Sequence, residues 1–437
     1  MQSIDTLISA RWVIPVEPAG TVLHDHAIAV NLGEILAVLP TDQARQRYSP
    51  REDVVLGDHV VIPGLVNLHA HSAMTLMRGL ADDLPLMTWL NEHIWPAEGK
   101  HVSAEFVYDG TLLACAEMLR SGTTCFNDMY FFPDASARAA VAARMRASVG
   151  MIAIEFPSAY AANADDYLDK GLAVRDEWRD EQLLAFTFAP HAPYTVSDRT
   201  FQRIITLAGE LDVPIHTHLH ETQDEIAQSE KQVGMRPLER LQRLGLLGPN
   251  LIAVHAVHLN EKEIEQLAAN GCHAAHCPSS NLKLASGFSP VAAMMKAGVN
   301  VGVGTDGAAS NNKLDMMAEM RLAALLAKGV AGDAAAIPAQ QALAMSTIGP
   351  ARALGLDAKI GSLTAGKRAD ITAVKMDAAE TTPCFDVVSH LVYAAGRENV
   401  SHVWVDGECL LKDRALTRMD ETDILAKARA WKARIQP

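Results

Sequence analysis

Eight short apolar runs, each followed by a longer helix-compatible stretch, dominate the middle of this chain: Val60–Leu68, Thr123–Asn127, Val149–Ile154, Leu184–Ala189, Pro214–His218, Leu251–His255, His273–His276 and Asn300–Thr305. After a longer first interval they recur roughly every thirty residues, the length of a strand plus a crossover helix, and so predict a parallel sheet. Eight such units fit a closed (β/α)8 barrel. An open doubly wound sheet competes, but its usual phosphate turn, GxGxxG after an early strand, is absent, and Val301–Gly304 resembles it only superficially. Before about residue 60 and after about residue 360 the texture changes to β-rich runs and turns: Asp5–Val13, Ala27–Val30, Ile35–Leu39, Ala369–Val374 and Val400–Val405, with the hairpin dipeptide Asp406–Gly407. The expected fold class is α/β, a (β/α)8 TIM-like barrel over residues 61–359 with a small β-sandwich domain built from both chain ends, residues 1–60 and 360–437.

Composition narrows the function. Hydrophobic residues make up 49% and charged residues 21%, as in a soluble globular protein. No apolar run approaches the roughly 20 residues of a membrane span. The net charge of −14, from 38 basic and 52 acidic residues, argues against a nucleic acid polymer, whose binding depends on clustered Lys and Arg. Six scattered cysteines (Cys115, Cys125, Cys272, Cys277, Cys384 and Cys409) form neither a disulfide framework nor a CxxC pair, and point to a reduced, cytoplasmic chain. The first twenty residues carry Asp5 and Arg11 and lack the apolar centre of a signal peptide.

The 17 histidines are the unusual element, because several close the apolar runs. His69 and His71, Asn127 and Asp128, His191, His218, His255, His276 and Asp306 all stand at or just beyond such ends. In a barrel these ends share the C-terminal rim, where barrel enzymes place their sites. On a strand, residues i and i+2 face the same way, so the imidazoles of His69 and His71 can reach one ion. His216, His218 and His220 offer two more such pairs, and His216 and His220 are expected simply to line the barrel. Three His and an Asp complete a divalent-metal set.

Taken together, VIPGLVNLHAHSAMTLMRGL, HTHLHET, AVHAVHL, HCPSSNLKLASG and GTDGAASNN resemble the amidohydrolase superfamily, and more narrowly its 5′-methylthioadenosine/S-adenosylhomocysteine deaminase group, which neighbours guanine deaminases and triazine chlorohydrolases. The flanking segments ARWVIPVEPAG and GSLTAGKRADITAV extend the likeness nearly end to end. The resemblance implies that His69, His71, His218 and Asp306 hold one zinc ion, with Fe or Mn as alternatives. His218 is selected because the family places a glutamate three residues after its metal histidine, and Glu221 stands there. His255 matches the sixth-strand catalytic residue, and His258 falls in the following loop as a structural residue. The fourth run ends in His191 with no lysine, so the carbamylated lysine of two-metal relatives has no candidate.

The chemistry of these residue types agrees with the resemblance. Zinc with one open position lowers the pKa of its water to about 7. Asp306 can accept the proton, His255 can hydrogen-bond the attacking oxygen, and Glu221 can carry a proton to the ring nitrogen and the departing amine. Glu98 matches the acid that nucleoside deaminases of this group set against the ribose hydroxyls, and His191 a second nucleoside contact. Met74, Met77, Leu84, Met87 and Trp89 are candidates for an apolar wall against a thioether tail.

The expected function is hydrolytic deamination of S-adenosylhomocysteine, methylthioadenosine or adenosine to the inosine form. Guanine deamination or triazine dechlorination on the same scaffold is the alternative, and a catalytically silent binding or assembly subunit the non-enzymatic one. The zinc-deaminase pattern built on HxE and PCxxC is unsupported, since Pro383–Cys384 lacks its second cysteine. Expected partners are a small nucleoside and further copies of the chain, with no membrane and no nucleic acid polymer.

Overall fold

Strands covered on both faces are predominantly apolar, and the central runs follow this with a few buried polar residues among them. In the computed structural model, which describes residues 1–436, eight parallel strands form one sheet in sequential order. They are β1 (Leu65–Ala70), β2 (Thr123–Tyr130), β3 (Arg146–Ala153), β4 (Leu184–Pro190), β5 (Ile215–Leu219), β6 (Leu251–His255), β7 (His273–His276) and β8 (Asn300–Val303). Every residue of β1, β2, β3, β5 and β6 is buried.

The crossover helices begin where short polar side chains meet the first free N–H groups. Ser103, Asn163, Ser197, Thr222, Asn260 and Asp315 each accept from a backbone N–H in the first turn of the helix that follows. The helix Asp198–Leu211 shows the pattern that packs it inward, with Phe201, Ile204 and Ala208 buried on one stripe.

The ring closes between β8 and β1 largely through a side chain. Asn67 Oδ1 accepts from the Thr305 N–H at 2.9 Å, and Asn67 Nδ2 donates to Thr305 Oγ1 at 2.7 Å. One residue further on, the Asp306 N–H donates to the His69 carbonyl at 2.9 Å. This seam ties two strand ends together at the rim where their polar residues emerge.

The run expected as one strand, Val60–Leu68, divides at Pro63–Gly64. His59–Pro63 pairs antiparallel with Ile371–Lys375 in a second sheet, and only Leu65–Ala70 enters the barrel. Proline removes a ladder donor, and a Cβ on Gly64 would lie 2.1 Å from Thr124 Oγ1, so the chain must turn here on a glycine. The second sheet is mixed and nine-stranded, and hydrogen bonding joins all its strands continuously: Ala415–Leu416, Glu408–Lys412, Val400–Val405, Ile371–Lys375, His59–Pro63, Gln2–Val13, Leu23–Asn31 and Glu34–Pro40, with Tyr48–Val55 paired to Gln2–Val13. Asp406 and Gly407 form the expected hairpin, both at positive φ (54° and 79°).

The C-terminal end does not stay β throughout. The helix Glu421–Ile435 leaves the sheet and packs on the barrel helix Ala104–Arg120, with Trp431 edge-on to Phe106 at 5.2 Å and its indole N–H donated to Asp109 at 3.0 Å. Among the described residues no helix is long and apolar enough to cross a membrane.

Candidate active site

The C-terminal rim gathers the residues expected there. His69 lies at the end of β1 and His71 just beyond it, His218 lies near the end of β5, His255 ends β6, and Asp306 follows β8. His69, His218, His255 and Asp306 are buried, and His71 is partly so. The Nε2 atoms of His69 and His71 each lie 3.3 Å from Asp306 Oδ1, and His218 Nε2 lies 3.3 Å from His69 Nε2. Ligand atoms about 2.0–2.1 Å from one ion at tetrahedral angles are about 3.3 Å apart, so the spacing suits zinc.

The other ring nitrogen of each histidine decides the tautomer. His71 Nδ1 faces the Met129 carbonyl at 2.5 Å and His218 Nδ1 the His191 carbonyl at 2.7 Å. A carbonyl only accepts, so both Nδ1 atoms carry the hydrogen and both Nε2 atoms present lone pairs. His69 Nδ1 meets His216 Nε2 at 2.9 Å. The Nε2 lone pairs of His71 and His218 converging with a carboxylate oxygen and the His69 ring suit a cation, and partners of this kind on Nδ1 are the usual outer supports of metal-bound imidazoles. His216 therefore does more than line the barrel, since it holds the ring of His69.

Asp306 is fastened on its other side. Its Oδ2 accepts from Ser280 Oγ at 2.5 Å and Ser310 Oγ at 2.8 Å, and its Oδ1 from the Gly307 N–H at 2.7 Å. Burial works to raise its pKa, but the imidazoles of His69, His71 and His255 hold it well below the ordinary carboxylate range. Desolvation pulls His69 down to about 4 and His191 to about 3, so both rings are neutral near pH 7.

Glu221 Oε2 lies 3.9 Å from His255 Nε2, and burial raises its pKa. Its backbone is gripped by Glu225, whose two carboxylate oxygens accept from the N–H groups of His220 (3.1 Å) and Glu221 (2.8 Å). His255 is held through Nδ1 by Asn281 Oδ1 at 2.8 Å. His255 and Asp306 both adopt left-handed φ angles, 70° and 60°. Such angles cost about 1–2 kcal/mol in a residue with a Cβ and collect where side chains are aimed for chemistry.

A cavity of about 350 Å³ opens over this cluster, and His71, His191, His218, Glu221, His255 and Asp306 all border it. Glu98, on the helix Trp95–His101, borders it too and accepts the Tyr130 hydroxyl at 2.7 Å. Burial in the cavity wall lifts the Glu98 pKa to about 7, against the opposing pull of Tyr130 and His71. Of the apolar residues expected along the wall, Met74 and Trp89 border the cavity, while Met77, Leu84 and Met87 pack in the apolar cluster behind it. Aromatic residues also line the wall, among them Tyr130, Phe131, Phe132, Phe156 and Tyr160. Their signal was the unbroken Tyr130–Phe131–Phe132 run at the end of β2 and just past it, which has no strand or helix period.

Other strand-end residues take supporting places. Asn127 Nδ2 donates to the Leu68 carbonyl inside the barrel, and Asp128 accepts from the Ser72 N–H at 2.7 Å, fixing the turn after His71. His276 is buried, with burial lowering its pKa to about 3. His220 accepts the Leu238 N–H, and His258 contacts the Ser286 carbonyl through Nε2.

Comparison with known proteins places this geometry. A profile of the amidohydrolase family matches residues 60–410. The 5-methylthioadenosine/S-adenosylhomocysteine deaminase of Saccharophagus degradans is 48% identical over 432 residues, covering 99% of this chain and 97% of the relative. The crystal structure of an adenosine deaminase from Xanthomonas campestris with bound zinc superposes with a TM-score of 0.98 at 51% identity, covering 100% of this chain and 99% of that one. An atrazine chlorohydrolase from Arthrobacter aurescens, complexed with zinc, superposes with a TM-score of 0.91 at 23% identity over 98% of this chain and 100% of its own, a likeness of fold.

Proposed function

The chain belongs to the amidohydrolase family, and from that premise we propose that it is a zinc-dependent hydrolase that deaminates an adenine nucleoside, namely S-adenosylhomocysteine, methylthioadenosine or adenosine, to the inosine form and ammonia. In this reading His69, His71, His218 and Asp306 hold the metal. When bound, zinc supplies a water acidic enough to attack carbon near neutral pH.

The chain's own groups do the rest. Asp306, ionised among its imidazoles, takes the proton that the attacking water gives up. His255, fixed through Nδ1 by Asn281, turns Nε2 toward the reacting centre, where it can hydrogen-bond the attacking oxygen. Glu221 holds a proton more readily than a surface carboxyl because it is buried. It delivers that proton to the ring nitrogen beside the attacked carbon, where it stays in the product, then takes the hydroxyl proton of the adduct and passes it to the departing amine; the proton left on Asp306 returns to Glu221 and restores the starting state. Glu98 accepts from the ribose hydroxyls, and His191 forms a second contact to the nucleoside.

The observation that carries this reading is that His71, His218 and Asp306 of the His/Asp cluster border one cavity together with Glu221, His255 and Glu98, with His69 buried beside them. Full-length identity to a relative named for this reaction supports it. We also assign the chain to a reducing cytoplasm, in keeping with six unpaired cysteines, and expect it to form a homo-oligomer.

The test is a panel: ammonia release by the zinc-loaded protein from S-adenosylhomocysteine, methylthioadenosine, adenosine and guanine, and chloride release from a chlorotriazine. Turnover of the nucleosides is expected. Turnover confined to guanine or the triazine, or none with zinc bound, would overturn the proposal in favour of the alternative enzymes or a silent subunit.

A further inference from the structure

We propose that Tyr130 is a positioning residue for sugar recognition, one that sets the plane of the Glu98 carboxylate by donating its hydroxyl to Oε1 and so leaves the remaining acceptor positions free for two neighbouring hydroxyls. The inference rests on the nucleoside reading above and deepens it.

The two residues come from different parts of the chain. Tyr130 is the last residue of β2, nine-tenths or more buried and anchored in the barrel wall. Glu98 sits on the short helix Trp95–His101, within the excursion between β1 and the helix Ala104–Arg120. The hydroxyl-to-carboxylate contact of 2.7 Å therefore also joins the excursion to the rim.

A free carboxylate rotates about its last bond and offers about four lone-pair sites in changing directions. Two vicinal hydroxyls have a fixed spacing, so they are matched only when the plane of the carboxylate is fixed. In the Glu98 surroundings Tyr130 is the one hydrogen-bond donor to that carboxylate among the described residues. The phenol itself is held by its ring, which packs beside Phe131 at 5.4 Å and tilts over His71 at 6.4 Å. A buried phenol with two stiff torsions is a better director than the mobile glutamate it directs. Tyr130 also stays protonated, because burial and the adjacent carboxylate push its pKa up, so it remains a donor throughout the working range.

A hydrogen bond to a charged group is worth enough that losing it should weaken recognition about tenfold. For Tyr130→Phe we expect KM for adenosine to rise about tenfold with kcat changed less than about threefold, while KM for 2′,3′-dideoxyadenosine, which has no hydroxyl pair, barely moves. The ratio of kcat/KM for the two substrates should therefore fall. In a Glu98→Ala background, adding Tyr130→Phe should change neither KM, because the tyrosine acts through the carboxylate. Zinc content and Tm are measured alongside, so that a loosened fold is not mistaken for lost recognition.

An unchanged ratio in Tyr130→Phe, or a full additional loss in the double variant, would overturn the assignment. The native protein separates the two levels. If it does not distinguish adenosine from the dideoxy analogue, the ribose role of Glu98 falls and this inference with it. If it does distinguish them and Tyr130→Phe does so equally well, only the role of Tyr130 falls.

Discussion

At the scale of single residues, the site is a set of polar groups each given one fixed orientation. His71 and His218 donate Nδ1–H to main-chain carbonyls, which leaves no choice about what Nε2 presents to the centre. Glu221 is the side chain whose replacement tests the chemistry most directly. Glu221→Gln keeps the shape and cannot move a proton, so kcat should fall by about 10²–10⁴ while metal analysis still finds zinc at the native ratio. A variant with near-native kcat would remove Glu221 from the proton path. The pairing of His69 with His71 was legible in the sequence because the HxH spacing places two rings on one side of a strand, whereas His218 was singled out from His216 and His220 only by the family resemblance and Glu221. The support of His69 by His216 was not legible, because it crosses the barrel between residues 147 apart.

At the scale of elements, loops and helices behind the rim hold the aimed residues steady. The helix Met316–Ala331 carries Glu319, whose carboxylate accepts from the Ser279 N–H at 3.1 Å and from Asn311 Nδ2 at 2.9 Å. It thereby joins the two segments that supply Ser280 and Ser310 to Asp306. Burial raises Glu319 from 4.5 to about 7. Between those values the folded chain keeps a proton that the unfolded chain has lost, so this group's contribution to stability declines as pH rises through the window. Glutamine carries no such charge. The Tm of Glu319→Gln relative to native should therefore climb between about pH 5 and about pH 8, and a pH-independent difference in thermal scans would refute the coupling. The seam between β8 and β1 is equally tight: a Cβ on Gly304 would meet the His69 nitrogen at 2.8 Å and its Cβ at 3.0 Å. Gly304→Ala should cost about 1–3 kcal/mol in denaturant unfolding and release zinc faster to a chelator, because the strand that must yield is the one bearing His69. Native zinc retention would show that the seam can relax without moving that ring.

At the scale of the molecule, the nine-stranded sheet is bound to the barrel by buried charge as well as apolar packing. Arg146, the first residue of β3, pairs with Asp370 at 2.8 Å and 3.0 Å, both side chains nearly fully buried, and reaches Asp406 at 3.4 Å. Asp370→Ala would leave the guanidinium buried with Asp406 at 3.4 Å as its nearest carboxylate and the Gln182 carbonyl at 3.0 Å. Loss of a buried partner costs about 3–5 kcal/mol. A large drop in Tm is expected with kcat at low temperature near native, since Arg146 lies at the opposite end of its strand from the catalytic rim. An equal fall in kcat would mean that the sheet domain shapes the site as well as supporting it.

The apolar runs and their spacing were enough to determine the class of fold, the parallel barrel, and the chain-end sheet, because periodicity and burial act locally along a strand. They also determined which rim residues could meet, since strand ends in a parallel barrel share one face. The division of the first run at Pro63–Gly64 depended on a contact with Thr124, which lies in another strand. The departure of the helix Glu421–Ile435 from the β end depended likewise on Phe106 and Asp109, more than three hundred residues away. Which ring nitrogen faces the centre, which serines steady Asp306, and that Tyr130 meets Glu98 were decided only by tertiary structure. Each of these is a directional contact of about 3 Å between residues distant in the chain, and local sequence carries no term for such a contact.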